Sequence, residues 1–414
     1  MDQGSTAFVL ICAALAFVAG LAMPLVHRPS GGVDHSASGS NDTRTAIAAT
    51  AIGVTVLLAV LVGYASAFGS RTAPGFVGFG GVLGIDVDLV GLQSVIGSAG
   101  AGGALASVVF QCALSAVVGG LIGAALGDRF RVIGSVLFVV VWAVLVYFPV
   151  AGWVLNMDWG AEGLVDGGWL VFDLSAIVGA GVLDFAGALP IHIAGGAAVL
   201  GIALARPGRT SSSTVSSSGV LRTLLGSALL WFGWFGVTAG AEGAADPFAA
   251  LATVNVLITP AAAMLAWMIV ERARQARTTA TGAASGVVSG LVAVTAGGAY
   301  LPPVASLVLG TAVGVICALV ADVLEARLGG MAGRIVAIHV VGGAASLLYL
   351  GVFATGVGLI YSGNPTQLIA QGVGVVTVLI FSLAVSSVLA VLISRAEGRV
   401  RSSAAPAPAT TDAP

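Results

Sequence analysis

Lysine is absent from this chain, and acidic and basic residues together make up only 8% of it. A soluble globular domain carries about 25% charged residues, so a water-facing surface cannot be built from this composition. Cysteine is scarce too. Cys12, Cys112 and Cys317 all fall inside apolar runs without metal-ligand spacing, which excludes a cysteine metal centre and leaves them as small core residues. No nucleophile and base pair, metal cluster or phosphate loop is present, so neither an enzyme nor a bound cofactor is expected. The arginines are dispersed along short segments rather than clustered for phosphates, which argues against a nucleic-acid partner.

What the chain has in abundance is apolar length. Of its 414 residues 58% are hydrophobic, and the mean hydropathy is +1.06. Lipid is therefore the expected solvent. A bilayer core about 30 Å thick needs about 20 helical residues to cross it. Eleven runs meet that length, at 7–26, 45–68, 104–126, 132–154, 186–205, 224–241, 247–270, 280–296, 304–323, 335–354 and 368–393. The expected fold is an all-α polytopic membrane protein of eleven transmembrane helices. Alternate assignment of the loops puts fifteen arginines on one face and Arg71 alone on the other. Basic loops stay cytoplasmic, so the N-terminus is expected outside and the C-terminus in the cytoplasm of a plasma (inner) membrane protein. The first run begins after Asp2 without a basic stretch and is long enough to span, so it is read as a retained helix rather than a cleaved signal peptide. Segment 29–43 reads as a Ser, Gly and Asp linker on the cytoplasmic side, and 395–414 as a disordered cytoplasmic tail. Sixty glycines imply close helix packing, with Gly119, Gly123 and Gly127, and again Gly282, Gly286 and Gly290, clearing one helix face at spacings of four.

Only four histidines occur. His27 and His35 fall in or beside the linker and are expected to be solvated. The other two lie inside helices and share one pattern, I-H-x-x-G-G-A-A: Ile191-His192 through Ala197-Ala198 in helix five, and Ile338-His339 through Ala344-Ala345 in helix ten. Five crossings separate the copies, and an odd number reverses direction. The expectation is an inverted repeat of 1–205 and 206–354, followed by an eleventh helix within 355–394. Inverted repeats place a transport site near the midplane at their interface. One buried imidazole alone suits a packing residue; two in matching positions point to a shared site. Neutral rings can hydrogen-bond to each other through one nitrogen each and present the other to a small, neutral solute.

These residues resemble the ammonium transporter and Rh family. Asp184-Phe185-Ala186-Gly187 followed by His192 matches that family's helix-five motif, and Trp234-Phe235-Gly236 with Ala239-Gly240 matches helix six, continuing through Ala249-Ala250-Leu251 to Asn255. Further likeness is carried by Gly63-Tyr64, Phe110-Gln111, Gly119-Gly120-Leu121-Ile122-Gly123, Ser285-Gly286 and Val294-Thr295. The resemblance implies a homotrimer with one pore per subunit, in which ammonium is recruited outside, loses its proton, and crosses as ammonia past His192 and His339. It places Phe110, Leu114, Trp234 and Val237 along the pore. Asp184, Ala186, Ala241, Glu242 and Trp153 fall around the outer vestibule, with Asp184 shaping backbone near Ala186.

The chain also departs from the family. Leu114 and Val237 stand where two phenylalanines gate the pore, Ala241 replaces a cation-binding serine, and Leu155 replaces the mouth tryptophan, with Trp153 close by. Arg334 takes an acidic position, helix one lacks a Phe-Tyr-Gly-Gly ending, and the tail lacks the regulatory pattern that binds a PII-type protein. Weaker aromatic recognition of a cation follows. The alternatives are a channel for methylamine, carbon dioxide or water, and a sensor that binds ammonium without transport. The outer loops are acidic, and Glu242 and Asp246 directly follow helix six, where they can concentrate cations or merely hydrate the loop.

Overall fold

The computed structural model describes residues 1–27, 38–69, 83–98, 101–127, 129–160, 163–207 and 217–403. The expectations for His35, Arg71 and most of segment 29–43 lie outside them. Among the described residues eleven helices are long and apolar enough to cross a bilayer: α1 Gln3–Val26, α2 Asp42–Ala67, α3 Ala101–Leu126, α4 Val132–Leu155, α5 Ala188–Ala205, α6 Ser218–Gly240, α7 Pro247–Gln275, α8 Ala280–Gly297, α9 Pro303–Leu328, α10 Gly330–Phe353 and α11 Thr366–Arg399. All eleven expected spans are present.

Helix ends run past the apolar windows because polar caps, not hydropathy, decide them. Asp2 starts α1 by accepting from the Ser5 N–H, Asp246 starts α7 through Ala249, and Thr279 starts α8 through Gly282. At the far end, helix continues to Ser403, so the first residues of the expected disordered tail are ordered. Glu397 explains why: its carboxylate accepts from the Arg131 N–H and pairs with the Arg206 guanidinium, both at 2.8 Å. A short antiparallel hairpin, β1 Met157–Gly160 and β2 Gly163–Gly167, follows α4 without a counterpart among the expected elements.

Both glycine stripes meet a neighbouring backbone. A Cβ on Gly123 would sit 2.8 Å from the Ala48 Cα of α2, and one on Gly286 2.6 Å from the Met264 Cα of α7. Thus α3 packs on α2 as α8 packs on α7, and α1 packs on α3 as α6 packs on α8. The longest shared seam outside these pairs joins α1 to α6.

Candidate functional site

His192 and His339 occupy π-helical turns, Ala188–Ile193 in α5 and Val336–Gly342 in α10. Such turns are rare and recur at functional sites, since one extra residue re-aims the side chains around it. Both imidazoles are completely buried. Their Nδ1 atoms lie 3.0 Å apart, with ring centroids at 5.0 Å. The glycines four residues on make this approach possible in a reciprocal way. A Cβ on Gly196 would press on Val340 and the His339 Cβ, while one on Gly343 would crowd the end of Ile193 and just touch the His192 Cβ.

The outer nitrogen of each ring is also engaged. His192 Nε2 lies 3.1 Å from the Thr295 hydroxyl, which also accepts from the Trp234 indole N–H at 2.9 Å. Trp234 stacks on His192 with its ring 16° from parallel. On the other side, His339 Nε2 lies 3.0 Å from His27 Nε2. This corrects the expectation for His27, which is only 3% exposed and stands edge-on to His339. It follows α1 directly, at the arginine-bearing end, where packing of α1 along α3 and α6 carries it inward. Burial first, and the Arg334 charge second, favour its neutral ring.

The opposite end of α5 is built from an irregular segment that precedes it. Asp184 accepts from the N–H groups of Ala188 and Leu189 at 2.6 and 2.7 Å, fixing the first turn of α5. Its effect therefore falls just beyond Ala186. Burial pushes this carboxyl up to about 7, against the pull of the Leu189, Ala188 and Gly187 N–H groups. Phe185 and Ala186 donate to the Ala296 and Thr295 carbonyls, so Thr295 holds both the segment and the His192 ring. Gly298, at φ +37°, has no room for a Cβ beside the Phe185 ring, and its carbonyl accepts from buried Asn255. Gln371 of α11 clasps Leu183 twice, accepting from its N–H and donating to its carbonyl, both at 2.8 Å.

Around this segment the phenol of Tyr300 packs edge-on to Phe185 and is pushed up to about 12, by burial first and then by the charges of Asp184 and Glu242. Glu242 is itself pushed up to about 7, by burial and then by Asp246. Ala241 beside it is half-buried. Trp153 is buried between Trp169 and Phe381, while Leu155 reaches the space beside Gly187. Phe110, Leu114 and Val237 are buried in the same core as the histidine helices, with the Phe110 ring against Gly240.

A sequence model of the Ammonium Transporter Family matches residues 7–407. The chain belongs to the ammonium transporter family. It is 33% identical to an ammonium transporter of Mycobacterium tuberculosis (strain ATCC 25618 / H37Rv), over 95% of this chain and 85% of that protein. To an ammonium transporter of Aquifex aeolicus it is 32% identical, over 96% and 89%. The crystal structure of Candida albicans Mep2 shares the fold, with a TM-score of 0.77 at 24% identity, covering 97% of this chain and 85% of that one. So does a structure named Sensor Amt Protein, with a TM-score of 0.79 at 22% identity and coverage of 95% and 93%.

Membership in this family of transporters fits the lack of any catalytic constellation in the sequence. For an ammonium transporter, several of the residues that build the site carry little sequence signal of their own. His27 is flanked by Val26 and Arg28 and reads as the start of a linker. Gln371 is a polar position in an otherwise apolar run, and that interruption is the available clue, while Gln367 lies just before the run. Thr295 is visible only as part of a shared motif.

Proposed function

We propose that this protein passes ammonium nitrogen across a membrane, recruiting ammonium at the mouth formed by Asp184, Phe185, Ala186 and Glu242 and conducting ammonia past His192 and His339. The single observation that carries this reading is the 3.0 Å contact between two buried imidazoles. The contact ties the two rings into one hydrogen-bonded unit, and an imidazole can take a proton on one nitrogen and release it from the other. Phe110, Leu114, Val237 and Trp234 supply an apolar lining that disfavours a charged solute. Aliphatic Leu114 and Val237 leave more freedom than paired aromatic rings, and Ala241 offers the cation no hydroxyl. Weak recruitment at the mouth follows, with the acidic pair Glu242 and Asp246 as its main compensation.

The reading extends to the whole molecule. Matched packing of α1–α5 and α6–α10 and the reciprocal glycines support an inverted repeat with the histidines at its interface. The arginine-bearing end faces the cytoplasm of the plasma membrane, and three copies assemble, each with its own path.

Purified protein in liposomes on a solid-supported membrane tests this. An ammonium pulse should evoke ammonia entry or ammonium-dependent current, and His192→Ala and His339→Ala should each change that flux on the order of 100-fold, the scale of one positioned proton carrier. Equal flux in all three proteins would reject the mechanism. A panel of methylamine, carbon dioxide and water in the same vesicles separates ammonium from other solutes.

A further inference from the structure

The three buried imidazoles form one line, and its hydrogen bonds have a direction. Thr295 donates its single hydroxyl proton to the Leu291 carbonyl at 2.7 Å. The same oxygen accepts from Trp234, so toward His192 it can only accept, and His192 Nε2 carries the N–H. A neutral ring has one N–H. His192 Nδ1 therefore accepts from His339 Nδ1, and His339 Nε2 accepts from His27 Nε2. What is left over is His27 Nδ1, a bare lone pair at the arginine-bearing end of the chain of bonds.

We infer that His27 is a third proton carrier, which links the paired histidines to the arginine-bearing side of the membrane. The inference rests on the transport reading above. Starting from the opposite set of tautomers, ammonium gives an N–H proton to His192 Nε2 and becomes ammonia. His192 Nδ1–H passes to His339 Nδ1, His339 Nε2–H passes to His27 Nε2, and His27 Nδ1–H passes to water. Three bonds to hydrogen form along the rings as three break, one positive charge is carried across, and the tautomers are left as the Thr295 contacts now hold them. Each ring must turn over, and Thr295 must release Leu291, before the next transfer. A ring that favours its neutral form is suited to this role because it hands the proton on. The paired histidines alone leave His27 without a task. Its ring meets His339 both edge-on and through a nitrogen, and no three-residue metal cluster occurs among the described residues.

A purely structural His27 would act as a peg that ties the end of α1 to α10. His27→Gln separates the two roles, because an amide still donates to His339 Nε2 but cannot take a proton on one atom and release it from another. His27→Asn serves as the second variant should the first fold poorly. The measurement is ammonium-evoked current in proteoliposomes, beside ammonia entry followed as uptake of nitrogen-15 label, which does not depend on whether the proton follows. The proposal expects the current to fall on the order of 100-fold in the Gln variant with ammonia entry retained. A wild-type current in that variant overturns it. So does loss of current and entry together, which marks His27 as structural. Ammonia entry without current in the wild type also overturns the relay but leaves the transport reading standing, whereas absence of both in the wild type removes both.

Discussion

Glu242, at the proposed mouth, interacts with Asp246 and Tyr300, and its carboxyl is held up to about 7 by burial and by Asp246. It is uncharged below that pH and anionic above, so its pull on an external cation grows as pH rises through that value. The apparent affinity for ammonium should follow the same course, and Glu242→Gln should flatten that pH profile while leaving the affinity on its acid side near wild type. Asp184 makes a different case. Its two N–H acceptances start α5, so Asp184→Ala should destabilise the protein by about 1–3 kcal/mol, read as a lower unfolding temperature in detergent, with Asp184→Asn losing less. The histidine motif is legible in the sequence because it repeats inside two apolar runs, and Asp184 is legible through the helix-five motif that resembles the family's. His27 is not, because its neighbours carry a linker's composition and only the packing of α1 brings it to His339.

At the scale of elements, the spans are readable because a bilayer forces each crossing to be long and apolar, whereas their ends are not, because single caps set them. The β1–β2 hairpin is too short to leave a periodic signal, and its pairing depends on a local register shift between Asp158 and Trp159. The glycine stripes are legible as spacing, but their partners α2 and α7 come only with the fold. Two substitutions test what those stripes do. A Cβ at Gly290 would overlap the Pro260 backbone, so Gly290→Val should cost more than about 2 kcal/mol or abolish folded yield. Gly53 meets nothing within 4 Å, and Gly53→Ala should leave stability unchanged or raise it by about 0.5–1 kcal/mol, as helix propensity dictates. Fluorescence-detected size exclusion after heating reads both.

At the scale of the molecule, exposed apolar side chains such as Leu57, Leu225, Phe232, Ile269 and Ile380 put apolar surface on the outside of the spans that carry them, which suits lipid and further copies of the chain. Native mass spectrometry of the detergent-stripped protein should give three times the 40.6 kDa of one chain; a stable monomer would reject the trimer. The two halves proposed above do not account for every part of the site. Helix α11 stands outside them, yet Gln367 donates to the Gly181 carbonyl and Gln371 holds Leu183 by both backbone groups. During synthesis those knots are tied last: on the proposed transport reading, a nascent chain that has already inserted both members of the histidine pair still has a loose entrance until its final crossing arrives, and a product cut short before residue 371 would own the machinery without its doorway.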